Sequence, residues 1–186
     1  MSFIRCIIFI NICWATILLP NKYLLAQTIT VPDPSFENAV YQSTTFYTWK
    51  TCQTIGISAL NGNFTAIYNR PPIYSPTDGN LYLWLATSTL HNLSGSISVK
   101  LNTPTVKGRQ HWFYIDAASA IAHAGLYADC DSLVQGKAVI YLGDSVCGMQ
   151  QQIWVSPLLD TMWHRYKVTF VPDSNYQYMR LTVMCP

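Results

Sequence analysis

Only 11% of the 186 residues are charged and the formal net charge is +2, while 50% are hydrophobic. So sparse a charge excludes a disordered polyelectrolyte, and the absence of any basic block argues against a nucleic-acid partner. Solubility must lean on Ser, Thr, Asn, Gln and Tyr, a composition that suits an extracellular β-protein.

Arg5 precedes an apolar stretch from Ile7 through Leu19, and Tyr23-Leu24-Leu25-Ala26 offers a cleavage site before Gln27. Residues 1–26 therefore read as a secretory signal, which places the protein outside the cell or on its outer surface. A membrane anchor is the rival reading of this run, but Asn11 interrupts it and Pro20 follows it, so its length fits a cleaved signal better. Arg5 and Lys22 leave with the signal, so nine basic and nine acidic residues remain, and no transmembrane segment is expected beyond it. Residues 27–186 make one ordinary domain with a sizeable core.

In chain order, Thr28-Ile29-Thr30-Val31 forms an edge strand ended by Pro32 and Pro34. A second short strand is expected over Thr54 to Leu60, closed by Asn61-Gly62-Asn63. Residues 70–80, with three prolines and Asp78-Gly79, read as a long surface loop. Leu81 to Ala86 is a strand apolar on both faces, and Ser96 to Leu101 alternates as a strand with one buried and one wet face. Further strands are expected over His111 to Ala118, Lys137 to Leu142 and Gln150 to Val155. Trp163 to Phe170 and Tyr176 to Met184, separated by Pro172-Asp173-Ser174-Asn175, read as a sequential antiparallel pair. Ala118 to Ala128 is a weakly signalled helical turn. Eight or nine short strands with little helix make an all-β, two-sheet sandwich of the jelly-roll kind.

Cys52, Cys130, Cys147 and Cys185 lie beyond the signal, an even number in an oxidising compartment, so two disulfides are expected rather than a metal site. Three pairings are open. Cys130–Cys147 is favoured because these residues bracket a hairpin, and Cys52–Cys185 then follows by elimination.

The order of several landmarks resembles the secreted jelly-roll, galactose-binding-like modules of Bacteroidota cell-surface and gliding- or secretion-associated proteins. The matching pieces are Val31-Pro32-Asp33-Pro34-Ser35-Phe36-Glu37, Trp49, Pro76-Thr77-Asp78-Gly79-Asn80-Leu81-Tyr82 and Phe113-Tyr114-Ile115-Asp116. Cys147-Gly148, Ile153-Trp154-Val155-Ser156-Pro157-Leu158 and the run from Trp163 to Pro172 complete them. Such modules continue into a final, aspartate-rich strand, whereas this sequence stops at Met184-Cys185-Pro186. The resemblance thus implies either a different closure of the fold or a natural protein with a final strand and further domains. It also implies a structural calcium ion on Glu37, with Asp33, Asp78 and Asp173 as companions.

Trp and Tyr are dense, and an indole plate can cover the apolar face of a sugar while neighbouring polar groups bond its hydroxyls. Tyr68, Arg70, Tyr74 and Asp78, on or beside the proline-rich loop, are the candidate ligand contacts, although each of them also has an ordinary structural use. Catalysis has little support: no Gly-x-Ser-x-Gly elbow occurs, and His91, His111, His123 and His164 share no metal-binding register. Asp160-Thr161-Met162 reads as a surface loop resembling a Bacteroidota O-glycosylation acceptor. The expected function is a non-catalytic recognition or adhesion module, directed at a glycan or cell-surface polymer. The second reading is a structural module of a larger cell-surface protein with no small-molecule ligand, and a hydrolase ranks third.

Overall fold

A computed structural model describes residues 26–40, 45–53, 57–60, 76–88, 93–119 and 136–184. In these segments the strands are β1 (Gln27–Thr28), β2 (Lys50–Gln53), β3 (Ile57–Leu60), β4 (Tyr82–Leu85), β5 (Thr87–Ser88) and β6 (Leu93–Ser94). They continue as β7 (Ser96–Lys100), β8 (His111–Ala117), β9 (Lys137–Gly143), β10 (Gln151–Val155), β11 (His164–Phe170) and β12 (Tyr178–Met184). The signal segment before Ala26 and most of the expected helical turn lie outside the described residues.

Period-two alternation sorts the long strands into two layers. Val168 and Phe170 of β11, and Phe113 and Ile115 of β8, face Ile97 and Val99 of β7, Ile140 and Leu142 of β9, and Met179 and Leu181 of β12. Ile97 and Leu142 are completely buried, and each such side chain is worth about 1.5–3 kcal/mol relative to exposure. One layer is a three-stranded sheet in the order β1-β8-β11, and the other is an antiparallel five-stranded sheet in the order β10-β9-β12-β7-β2. Two small ladders, β3-β4 and β5-β6, and an isolated antiparallel bridge between Ala39 and Phe46 make up the remaining pairing among the described residues.

The all-β, two-sheet architecture matches the expectation, but its jelly-roll description is corrected. Among the described residues both large sheets are open, with β1, β11, β10 and β2 as edges, and neither closes on itself. The pairing expected between the last two strands is also absent. β11 pairs with β8 and β12 lies between β9 and β7, so residues 171–177 carry the chain from one layer to the other. Buried Pro172 and Tyr176 pin this crossing: Pro172 accepts from the Gly108 amide at 2.8 Å, and Thr105 Oγ1 accepts from the Tyr176 amide at 2.8 Å.

Ser96 and Ser98, expected on a wet face, are 0% and 1% exposed. Their cover begins with the cysteines. Cys147 is bonded to Cys52, with Cα atoms 5.5 Å apart, which corrects both expected pairings; Cys130 and Cys185 lie outside the described residues. Cys52 sits at a register shift of edge strand β2, and Cys147 in the turn between β9 and β10. Because β12 and β7 separate β9 from β2, the turn must fold back across the outer face over about 14 Å of sheet. Cys147 takes a left-handed φ of 65°, and close approach at Gly143 helps set the turn, since a Cβ there would meet the Gly148 backbone at 2.8 Å. The resulting strap was invisible to reasoning from one hairpin.

His111 is wholly buried and stacks on Phe170 at 5.7 Å between ring centroids. Its Nε2 accepts from the Val106 amide at 3.2 Å, so the ring hydrogen belongs on Nδ1, which has no partner. Burial pushes its pKa below 6.5, and the unfolded chain therefore takes a proton more readily than the fold does. Stability should be complete above about pH 6.5 and fall as the pH drops through the lower folded value, by up to about 1.4 kcal/mol per unit. Urea unfolding at pH 7 and pH 5 should show this loss, and His111→Phe should flatten it. Replacing both Cys52 and Cys147 by Ser should cost about 2–5 kcal/mol in the same assay. Non-reducing peptide mapping should join Cys52 to Cys147; recovery of Cys130 with Cys147 would refute the strap.

Candidate functional site

The sequence-derived site residues are only partly within view. Tyr68, Arg70 and Tyr74 lie outside the described residues, while Asp78 and Glu37 lie within them. Left-handed Asp33 and Phe36, at φ 51° and 60°, turn the 33–37 segment back on itself. The Asp33 carbonyl accepts from Trp49 Nε1 at 3.0 Å, and the Phe36 ring packs on Trp49 at 5.2 Å. This turn sends Glu37 to the 78–81 loop. Its Oε1 accepts from the Asn80 and Leu81 amides at 2.6 and 2.8 Å, and its Oε2 from Asn80 Nδ2 at 3.3 Å. The Asn80 amide, then that of Leu81, holds the carboxyl below its ordinary pKa. Ser35 Oγ donates to Asp78 Oδ2, closing the same junction.

These contacts bear on the expected calcium. The ion takes six to eight oxygen ligands, whereas Glu37 is met by N–H donors, which complement a carboxylate and cannot ligate a cation. Among the described residues, no three His, Cys, Asp or Glu side chains gather in a metal-binding group. The described surroundings of Glu37 do not fit a calcium cage, so no chemistry is derived through one. Glu37 acts here as a latch between two loops.

Asp116, on β8, is committed in a similar way. Arg165 of β11, its direct cross-strand partner, donates from Nε to Oδ1 at 2.9 Å and from Nη2 to Oδ2 at 2.8 Å. Thr77 adds a 2.7 Å bond to Oδ2. Arg165 first, and Thr77 with it, holds the carboxyl below its usual range, so Asp116 is a poor proton acceptor. Next to it on this outer face stand exposed Tyr114 and half-buried Trp112, edge to face at 5.4 Å, with Lys167 Nζ 5.0 Å from the Trp112 ring.

A different chemistry appears where β11 begins. Asp160, in the loop before it, faces His164: Nε2 lies 2.9 Å from Oδ1 and 3.0 Å from Oδ2. The Met162 amide donates to the same Oδ1 at 2.9 Å; that bond, followed by the one from His164, holds Asp160 ionised. An ionised carboxylate only accepts, so the ring hydrogen sits on Nε2, and in the neutral ring Nδ1 carries the lone pair. Both partners remain partly open to solvent, at 43% and 45% exposure.

The dyad borders aromatic surface. Tyr166 lies 6.3 Å from the His164 ring and 5.5 Å from Trp154, and burial raises the pKa of its hydroxyl. Trp163 meets Tyr82 edge to face at 5.8 Å, yet its buried Nε1–H has no acceptor. Leu159, Ala117 and Ala138 form the apolar floor, with Trp154 and Tyr166 packed on them. The sequence reading dispersed the histidines and treated Asp160 as a surface loop. The four-residue spacing of Asp160 and His164 was the available signal.

No family model and no curated protein matches the chain. Similar solved structures are cyclases from the genus Fischerella. A Stig cyclase of Fischerella sp. TAU, in complex with (3Z)-3-(1-methyl-2-pyrrolidinylidene)-3H-indole, shares 15% identity over 85% of this chain and 87% of its own, with a TM-score of 0.48. An apo cyclase from Fischerella sp. shares 14% identity over 83% and 85% of the two chains, with a TM-score of 0.46. A further cyclase, from Fischerella sp. TAU in complex with 4-(1H-indol-3-yl)butan-2-one, shares 13% identity over 83% and 86%, with a TM-score of 0.41.

These findings correct the expected membership among Bacteroidota jelly-roll modules. The expected non-catalytic carbohydrate-binding or adhesion role, its structural-module alternative, and the glycan or cell-surface polymer partner find no counterpart among them: the similar structures are of cyclases, two of them with small indole compounds. At such low identity and TM-score, the chemistry of this chain has to be read from its own side chains.

The Glu37 latch gives a direct test. Glu37→Gln should accelerate hydrogen exchange at the Asn80 and Leu81 amides by about tenfold, the share of charge-assisted bonding lost. Gly79→Ala should do at least as much, because its Cβ would stand 2.4 Å from Glu37 Oε1 at a φ of +66°. Unchanged exchange in both variants would show that the latch contributes nothing.

Proposed function

We propose that the protein is an acid–base enzyme for a small, mostly apolar organic molecule, with Asp160 and His164 as its proton-transfer pair. The observation that carries this reading is the two-oxygen grip of Asp160 on His164 Nε2, at 2.9 and 3.0 Å beside an aromatic surface. Asp160 orients the ring and stabilises the imidazolium formed when Nδ1 takes a proton; the same group then returns that proton. Tyr166 and Trp154 supply apolar contact for a planar substrate, and an acceptor on the substrate satisfies Trp163 Nε1–H. Asp116, saturated by Arg165 and Thr77, positions strands and moves no proton.

Export of the protein by residues 1–26 belongs to the same proposal and is supported by the Cys52–Cys147 bond, which suits an oxidising compartment.

The test uses 2-naphthol, a neutral bicyclic probe whose carbon beside the hydroxyl-bearing carbon exchanges hydrogen with solvent. Titration followed by NMR should shift the His164 ring and the Trp163 Nε1–H. In D2O the protein should accelerate deuteration at that carbon, and His164→Gln should lower the acceleration roughly 100-fold. Failure to perturb either residue would sink the binding site. Exchange at an undiminished rate in His164→Gln would sink the acid–base assignment while leaving the binding site in place.

A further inference from the structure

The outer face of the five-stranded sheet holds a second set of unused groups, independent of the dyad. Direct cross-strand neighbours form one row over all five strands: Lys50 on β2, Ser98 on β7, Arg180 on β12, Tyr141 on β9 and Gln152 on β10. At about 4.8 Å per strand the row is about 19 Å long. Lys100, beside Tyr178, and Lys137, beside Met184, share the face by the same alternation. The five strands thus carry four cations, all on one side, and no Asp or Glu.

Arg180 sits at the centre of the row. It donates from Nη1 to the Cys147 carbonyl at 2.9 Å and from Nη2 to Ser96 Oγ at 2.8 Å. Its Nε–H is buried without an acceptor, and no carboxylate pairs with the guanidinium among the described residues. Two neutral oxygens are weak compensation for a partly desolvated charge. The disulfide strap delivers one of them and holds the guanidinium against the sheet. Nearby, the Tyr141 hydroxyl donates to Gln152 Oε1 at 3.2 Å, leaving the Gln152 amide hydrogens as further donors.

We propose that this face is an anion site, in which Arg180 binds the oxyanion group of a small molecule, a phosphate or a carboxylate. Arg180 forms the innermost contact through Nε, while Lys50 and Lys100 attract the ligand from the exposed rim. Charge complementarity selects the ligand class: the five strands offer positive charge and donors and carry no Asp or Glu of their own.

Inorganic phosphate and acetate serve as separate probes, titrated at neutral pH and constant ionic strength with chloride as the control. Each is read by the Arg180 Nε–H resonance. Saturable movement of that resonance is expected, with tighter phosphate binding assigning a phosphoryl group and tighter acetate binding a carboxylate. Arg180→Gln should weaken the better probe at least tenfold. Should that variant fail to fold, Lys50→Gln combined with Lys100→Gln alters exposed positions only; it should weaken binding several-fold and reduce its salt dependence. No movement at Arg180 with either anion, or undiminished affinity in the double lysine variant, would overturn the proposal. Anion shifts confined to surface lysines would do so as well, because they would report nonspecific screening.

Discussion

The apolar contact between the two sheets is the constraint on which everything else rests. Ile97, Val99, Ile140, Leu142 and Met179 from one layer close against Phe113, Val168 and Phe170 from the other. Burial of this interface fixes register, because a one-residue slip would turn every inward side chain outward. Register in turn places the chemistry. Asp116 meets Arg165 because their strands are aligned, and Lys50, Ser98, Arg180, Tyr141 and Gln152 fall into a row for the same reason. His164 opens an inward-facing series on β11 that continues through Tyr166 and Val168.

The polar groups divide by how completely they are satisfied. Asp116 and Glu37 have their oxygens occupied by Arg165, Thr77, Asn80 and Leu81, and both carboxyls are driven further toward the ionised form. They join segments distant in sequence. The His164 ring has one nitrogen fixed and the other left for chemistry, whereas Arg180 and Trp163 keep buried donors without acceptors. Unpaired donors in apolar surroundings carry a free-energy cost of about 1–3 kcal/mol each, a cost that His111 Nδ1–H bears in the core as well.

Local pattern made much of this architecture legible. Alternation identified β7, β9 and β11 to within a residue or two, since each places Val, Ile or Leu on its inner face. What failed was pairing at long range. Adjacent strands β11 and β12 looked like a hairpin, yet residues 171–177 cross between layers. The partner of Cys147 depends on a turn that passes over two intervening strands, and no spacing rule contains that path. Ser96 and Ser98 looked wet because their cover comes from elsewhere in the chain. The candidate site escaped for a related reason: Asp160 and His164 are near in sequence, but Trp154, which packs on Tyr166 beside the His164 ring, arrives from β10. Of the loop residues first favoured, only Asp78 can be placed, and it bonds to Ser35.

Open sheets leave margins, and the two margins of the larger sheet share a feature. The ladder shifts register between Thr51 and Gln53 on β2, and between Gln152 and Trp154 on β10. Such bulges break the flat row of backbone donors and acceptors that another chain would need in order to extend the sheet. On β2 the irregular position is Cys52 itself, so the covalent link that fastens the strap also sits at this break. A molecule with little surface charge to keep its copies apart can therefore resist edge-to-edge aggregation through backbone geometry.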